Sequence, residues 1–372
     1  MRRSVPLVAT AAAGLMALAA CSSSSTGSNS TASTSSSASS SSGGVQVGVL
    51  LPDTQSSTRW ESYDRPFLSQ AFAAAGIKAV IDNAQGSAST QATQAQQMIS
   101  QGAKVLLLVN LDSGSGAAIE RNAAASGVKT IDYDRLTLGG SASVYVSFNN
   151  VTVGMLQGQG LVTCLKAKGY TKPKVAELNG SPTDNNATLF AQGYNSVLNP
   201  LYANGTFVKG PNQSVPQWNN QQGGVIFEGM LTTNPDIKGL LSANDGLGGA
   251  ALAILKKNNL EGKVPFTGQD ATVAGMQNIL LGYQCMSVYK PIKVEAAAAA
   301  AAAIAILHGQ AAAVNGSVTD TTTHKQVQAI LETPIAVTTA NMEATVIKDN
   351  FDTVAQVCAG AVAAACTKYG IH

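Results

Sequence analysis

The chain has 372 residues, of which 45% are hydrophobic and 12% charged, and its formal net charge is +2. That length suits two domains with sizeable cores. The near-neutral balance, with no basic run after the first residues, gives no footprint for a nucleic-acid partner. The three histidines, His308, His324 and His372, are scattered, and the five cysteines show no Cys-x-x-Cys or Cys/His spacing, so neither a metal nor a cofactor is implied.

In chain order, Arg2 and Arg3 precede an apolar stretch over residues 7–20 that is too short for an ordinary membrane span. Residues 1–20 therefore read as an export signal. They run into Leu18-Ala19-Ala20-Cys21, which resembles the bacterial lipobox. That likeness implies cleavage before Cys21 and lipid on its sulfur; the plainer alternative is a secretory signal with an incidental cysteine. Residues 21–44 are almost wholly Ser, Thr, Gly, Ala and Asn. They cannot bury enough apolar surface to offset chain entropy, and they read as a flexible tether between a lipid anchor in the cell membrane and an extracytoplasmic domain. In such an oxidising compartment Cys164, Cys285, Cys358 and Cys366 can form two disulfides in three connectivities. A local Cys358–Cys366 clip with a long-range Cys164–Cys285 bond is favoured over the other pairings and over four buried thiols.

From residue 45 onward, short apolar runs alternate with helical patterns. Strands are predicted at 45–51, 78–81, 105–109, 130–133 and 144–148, with helices at 65–75, 90–101 and 115–125 between the first four. The run at 105–109 is apolar throughout, as in a strand covered on both faces. The rhythm continues with strands at 174–178, 239–242, 264–267 and 285–289. Further helices are predicted at 153–168, 186–198, 221–232, 247–257, 271–280 and, in an Ala-rich run, 295–307. This βαβα order predicts an α/β protein with two doubly wound, parallel-sheet lobes.

Ligands of open α/β sheets bind beyond the carboxyl ends of the strands. Those positions hold Thr58-Arg59-Trp60, Asp132-Tyr133-Asp134-Arg135, the run from Gly180 to Asn186, Ala243-Asn244-Asp245, Gly268-Gln269-Asp270 and Val288-Tyr289-Lys290-Pro291. Arg, Lys, Asp and Asn side chains suit sugar hydroxyls, which both donate and accept. Trp60 and Trp218, the only tryptophans, are candidates to cover the C–H face of a pyranose. Each residue also has a structural alternative: Asp134-Arg135 as a loop ion pair, Asp184 to Asn186 as a helix cap, Asn244-Asp245 as a turn, Lys290 as a solvated charge, Trp218 as core.

These segments resemble the periplasmic xylose-binding protein family, within the type I pentose- and hexose-binding proteins, over residues 45 to about 350. The likeness is carried by Arg59-Trp60, Tyr133-Asp134-Arg135, Val146-Ser147-Phe148-Asn149-Asn150, Gly180 to Ala187, Gly268-Gln269-Asp270-Ala271 and Val288-Tyr289-Lys290-Pro291-Ile292. It implies a first lobe of 45–148 plus 291–325 and a second of 149–290 plus 326–372, with crossings near 147–150, 290–293 and 323–330. It also implies that a monosaccharide, D-xylose or a related pentose or hexose, is held in the cleft by Arg59, Trp60, Asp134, Arg135, Asp184, Asn186, Trp218, Asn244, Asp270 and Lys290. The protein would then be a non-enzymatic, monomeric substrate-binding lipoprotein that serves the permease of an ABC importer. A sensory receptor presenting glucose, galactose or arabinose to a membrane partner would use the same cleft. A nucleotide-dependent enzyme is the remote alternative, because Gly246-Leu247-Gly248-Gly249-Ala250-Ala251 fits Gly-x-Gly-x-x-Ala after a strand. That motif lies in the second lobe, and close helix–strand packing accounts for its glycines equally well. No Walker loop, His-Glu-x-x-His or nucleophile elbow occurs. The tether occupies the place where a sugar-responsive repressor would carry its DNA-binding helices.

Overall fold

The computed structural model describes residues 44–372. The predicted export signal, Cys21 and all of the tether except Gly44 lie outside the described residues. The elements follow in the order β1 (Val47–Leu51), α1 (Arg65–Ala74), β2 (Ala79–Asn83), α2 (Ala88–Ser100), β3 (Val105–Leu108), α3 (Ser113–Ala125), β4 (Lys129–Tyr133) and β5 (Val144–Phe148). Next come α4 (Asn150–Ala167), β6 (Lys174–Asn179), α5 (Asn185–Ala203), β7 (Val208–Ser214), α6 (Asn220–Thr233), β8 (Ile237–Ser242), α7 (Asp245–Lys257), β9 (Phe266–Gln269), α8 (Val273–Leu280) and β10 (Gln284–Tyr289). The chain then forms α9 (Ile292–Leu307), β11 (Gly316–Thr319), β12 (Gln326–Glu332), β13 (Ile335–Val337), α10 (Val354–Val357) and α11 (Ala363–Tyr369).

These strands make two sheets, β11-β12-β5-β4-β3-β1-β2 and β13-β10-β9-β8-β6-β7. Both are mainly parallel and doubly wound. Strand order reverses between β1 and β3 in the first and between β6 and β8 in the second, so each sheet has its own switch point where a crevice opens. The central strands are buried on both faces: Val105, Leu106, Leu107 and Leu108 have no exposed surface, which is why that segment reads as an unbroken apolar run. The Ala-rich α9 covers the first sheet, where Ala296, Ala299, Ala300 and Ala303 share one core cluster with Val49, Leu107 and Tyr133. Small side chains allow the helix to lie close to the strands.

Both sheets are mixed at one edge. β12 runs parallel to β5, β11 returns antiparallel on β12, and β13 is antiparallel to β10. The β12 pairing corrects the expected lobe boundary. Residues 326–332 belong to the first sheet, with Ala329 opposite Tyr145, so the third crossing lies between β12 and β13 and not at 323–330. Polar residues at 316–328 hide these strands from a hydrophobicity-based reading. β7 is concealed for the same reason, since it is a mostly exposed edge strand carrying Gly210 and Pro211.

The segment after β13 packs on α8 and Tyr289 and also reaches Tyr63 and Phe67, which lead into and form α1. Tyr63 stacks on Phe351 with ring centroids 4.1 Å apart, and its hydroxyl donates to the buried Asp352 at 2.7 Å. Disulfides join Cys164 in α4 to Cys285 in β10, and Cys358 to Cys366 in the tail. The Gly-x-Gly-x-x-Ala run opens α7, and a Cβ at Gly248 would lie 2.7 Å from the Phe266 ring. Close packing of α7 on β9 thus accounts for that glycine. Among the described residues, no helix is long and apolar enough to cross a membrane.

Candidate functional site

The loops at the carboxyl ends of the strands meet in one small cavity. The segment after β1 supplies Ser56, Ser57, Arg59 and Trp60, and the one after β4 supplies Asp134 and Arg135. Asp184, Asn186 and Phe190 come from the β6–α5 junction and α5, Trp218 from the loop after β7, and Asn244 from the end of β8. Gln269 and Asp270 close β9, and Lys290 follows β10. All ten residues singled out in the sequence line this cavity.

Two of the carboxylates sit on unusual backbone. Asp134 and Asp270, each just past a strand end, have φ of 60° and 89°. Non-glycine residues rarely adopt the left-handed region, and such strain collects where a side chain has to be aimed. The Asp134 carbonyl oxygen is held by Tyr145 Oη at 3.0 Å, Ser147 Oγ at 2.8 Å and Asn186 Nδ2 at 2.9 Å.

Arg59 is almost wholly consumed by the protein. Its Nε and Nη2 donate to Asp64 at 2.9 and 2.8 Å, Nη1 to Asp134 Oδ2 at 2.6 Å, and Nη2 also to Glu295 Oε2 at 2.6 Å. Only 2% of Arg59 is exposed, and Asp64 and Glu295 are fully buried. Burial pushes the Glu295 carboxyl up to about 8 despite the facing guanidinium. Burial acts the same way on Asp134, but there Arg59, Lys290 and Arg135 prevail and hold the carboxyl below the ordinary range. Asp134 therefore stays an anion while Glu295 binds its proton more readily.

Arg135 reaches across the gap between the sheets. Its Nε lies 3.0 Å from Asp184 Oδ2, and Nη1 donates to the Asn110 carbonyl at 3.1 Å. Asp184 also receives Trp218 Nε1 at 3.0 Å, while its other oxygen caps α5 through the Asn186 amide at 2.9 Å. Helix capping and cavity lining thus fall on one carboxylate. The Asn186 side chain donates to Asp134 O and Oδ1 and accepts from Asn150 Nδ2 at 2.9 Å and Tyr145 Oη at 3.3 Å. Its amide is fully engaged in joining the two sheets to the crossing.

On the other side of the cavity, Asp270 takes a hydrogen bond from Ser57 Oγ at 3.1 Å and faces Lys290 Nζ at 3.2 Å. Asn244 caps α7 through Leu247 N at 2.8 Å and donates to the Ser56 carbonyl at 3.3 Å. Trp60 lies 4.5 Å from the Arg59 guanidinium and 5.5 Å from that of Arg135, and its Nε1 donates to Ser56 Oγ at 3.0 Å. The carbonyl oxygen of Gln269, in a side chain only 4% exposed, is buried without a hydrogen-bond partner.

Sequence reasoning missed Ser56, Ser57, Phe190 and Gln269 in the lining, and Asp64 and Glu295 behind it. Glu295 did carry a signal, being the acidic residue at the head of the Ala-rich run on a core-facing helix. Gln269 adjoins Asp270 in a segment already singled out. Among the described residues, no group of three or more His, Cys, Asp or Glu is arranged to hold a metal ion.

A cavity ringed by charged and amide groups between two doubly wound sheets defines a cleft-type receptor for a small polar ligand. Residues 47–311 match the model of the periplasmic binding protein domain, and the chain belongs to that family. It is 32% identical over 308 residues to the D-xylose-binding periplasmic protein of Escherichia coli strain K12, covering 82% of this chain and 91% of that one. It is 33% identical over 310 residues to the protein of the same name from Haemophilus influenzae, covering 83% and 91%. Among solved structures, an ABC transporter solute-binding protein from Clostridium phytofermentans with bound β-D-glucose superposes with a TM-score of 0.77 at 25% identity, covering 84% of this chain and 99% of that one. The chain thus has the fold of sugar-binding solute receptors of ABC transporters. The relatives named above are called binding proteins, and the matching domain is described as periplasmic.

Proposed function

We propose that this chain captures a single monosaccharide, D-xylose before other pentoses and hexoses, between its two sheets and delivers it to the permease of an ABC importer while tethered to the membrane by lipid on Cys21. The observation that carries this reading is the convergence of Asp134, Arg135, Asp270, Lys290 and Gln269 on one cavity. Anionic acceptors, cationic donors and a free carbonyl within one small volume match the donor–acceptor character of a ring of hydroxyls. Trp60, Trp218 and Phe190 supply apolar surface for the C–H faces. The two relatives named for D-xylose favour a pentose; the glucose complex keeps a hexose as the competing ligand.

Micromolar capture corresponds to about −8 kcal/mol, within reach of several charge-assisted hydrogen bonds and one or two ring contacts after desolvation. The ligand must favour the closed arrangement over the open one, because equal affinity for both would shift nothing. Calorimetric titration of the full chain with D-xylose, D-glucose, D-galactose and L-arabinose tests the reading. Tightest binding is expected for D-xylose, with Asp270→Ala and Arg135→Ala each abolishing tight binding in a folded protein. Absence of binding to every sugar, or unchanged affinity in both variants, would overturn the site. Mass analysis of the membrane-extracted protein tests the anchor, and an unmodified Cys21 thiol would refute it.

A further inference from the structure

Asp245 is the first residue of α7, next to the cavity-lining Asn244, yet it is absent from the cavity lining. Only 4% of it is exposed, and its two oxygens accept four hydrogen bonds. Oδ1 takes Gln284 Nε2 at 2.7 Å and Ser287 Oγ at 2.8 Å. Oδ2 takes the Thr272 amide at 2.8 Å and Thr272 Oγ1 at 3.1 Å. Ser287 Oγ, while donating to Asp245, accepts the Ala271 amide at 3.0 Å. The carboxylate therefore grips, directly or through one hydroxyl, the two residues that follow Asp270.

Those residues need holding. Asp270 and Ala271 have φ of 89° and 49°, two successive non-glycine residues in the left-handed region, a conformation that persists only where its surroundings impose it. The surroundings are built to admit the carboxylate. A Cβ at Gly268 would lie 1.9 Å from Asp245 Oδ1, and one at Gly275 would lie 2.2 Å from Oδ2. The strand end before the strained pair and the helix after it thus both leave room for this one side chain.

The geometry points to Asp245 as a positioning residue for ligand capture: it locks the strained turn that aims Asp270 at Lys290 and Ser57, and so sets ligand affinity without touching the ligand. This deepens the proposed function and rests on it. Asp245→Asn keeps the shape but turns an amide donor toward one pair of existing donors, whereas a carboxylate satisfies all four. Ser287→Ala is the milder second variant, removing the relay to Ala271 together with one of the four donors to Asp245.

The test combines sugar titration of the full chain at pH 8 with amide hydrogen exchange. The probe is whichever of D-xylose, D-glucose, D-galactose and L-arabinose binds the unaltered protein most tightly. Asp245→Asn is expected to weaken binding at least tenfold and Ser287→Ala several-fold. Exchange should accelerate over 268–275 while α4, α5 and the first sheet keep their protection. In an Asp270→Asn background the effect of Ser287→Ala on affinity should shrink, because both changes act through one side chain. Affinity within twofold in the variants that fold overturns the inference, as does weakened binding with exchange raised throughout the second sheet or with full additivity on Asp270→Asn. If Asp245→Asn does not fold, Ser287→Ala decides alone. Failure of the unaltered protein to bind any of the four sugars refutes the functional reading instead, and exchange over 268–275 then reports on the turn by itself.

Discussion

Replacing Arg135 by lysine preserves the charge and removes the fork, which makes it a demanding test of the cleft. In the structure the guanidinium makes two strong polar contacts, Nε to Asp184 Oδ2 at 3.0 Å and Nη1 to the Asn110 carbonyl at 3.1 Å, and it lies 5.5 Å from the Trp60 ring. An ammonium is a point donor and can keep at most one of these contacts in the same place. Hydrogen bonds to charged groups contribute about 1.5–3 kcal/mol each, so losing one of them and loosening the Trp60 contact costs about 2–4 kcal/mol in the arrangement where both sheets are engaged. Arg135 and Asn110 both follow strands of the first sheet and Asp184 follows one of the second, so loss of the Asp184 contact falls on the closed arrangement far more than on either lobe alone. At 1.4 kcal/mol per tenfold, sugar affinity should drop about 30- to 700-fold. Calorimetry gives the affinity, and small-angle scattering at saturating sugar reports whether the lobes still approach. Affinity within threefold of the unaltered protein, with circular dichroism unchanged, would refute the view that this fork clamps the cleft.

Other outcomes follow from single contacts. Trp218→Phe keeps an aromatic ring but loses the second ring of the indole and its Nε1 donor to Asp184 at 3.0 Å, so sugar titration should show affinity about tenfold weaker. Substituting both Cys164 and Cys285 by alanine frees a link across 121 residues, against 8 for Cys358–Cys366. Chain-entropy loss makes the first worth about 5 kcal/mol and the second about 2.5, a ranking that denaturant titration of the two double variants checks. Burial raises the carboxyls of Glu295 to about 8, Asp245 to about 7 and Asp352 to about 6. Between their ordinary range near 4 and those values the folded chain holds protons that the unfolded chain has released. Their contribution to stability should therefore be complete below about pH 4 and be lost as pH rises toward 8. Thermal midpoints across that range test the sign, and Glu295→Gln should flatten the upper end.

The legible part of this protein was whatever repeats along the chain. Apolar runs such as 105–109 announce strands covered on both faces, and glycines after helical patterns mark where helices stop. The lining of the candidate site was legible because doubly wound sheets bring the loops at their strand ends together, so polar residues there fall on one cavity. The edge strands were not legible. β7 and β11 are exposed and polar, and pairing with a neighbour, not burial, makes them strands. The misplaced lobe boundary has the same cause, since β12 joins the first sheet through backbone hydrogen bonds to β5 that leave no mark on composition.

Long-range charge pairing was equally hidden. The sequence offered Arg59 as a ligand donor, yet three carboxylates from Asp64, Asp134 and Glu295 surround it, and two of these lie 75 and 236 residues away. That changes its role. Breaking a buried charge network by removing one member costs about 3–5 kcal/mol, because the remaining charges are left without compensation. Arg59 therefore serves the cleft chiefly by fixing Asp134, whose left-handed backbone and depressed pKa depend on its neighbours. Arg59→Met should consequently lower the stability of the first lobe as well as sugar affinity, whereas Lys290→Met, which removes a cation paired mainly with Asp270 at the cavity surface, should lower affinity with a smaller loss of stability. Denaturant titration and calorimetry on the two variants separate these effects. Equal losses of stability would show that Arg59 is an ordinary ligand donor after all.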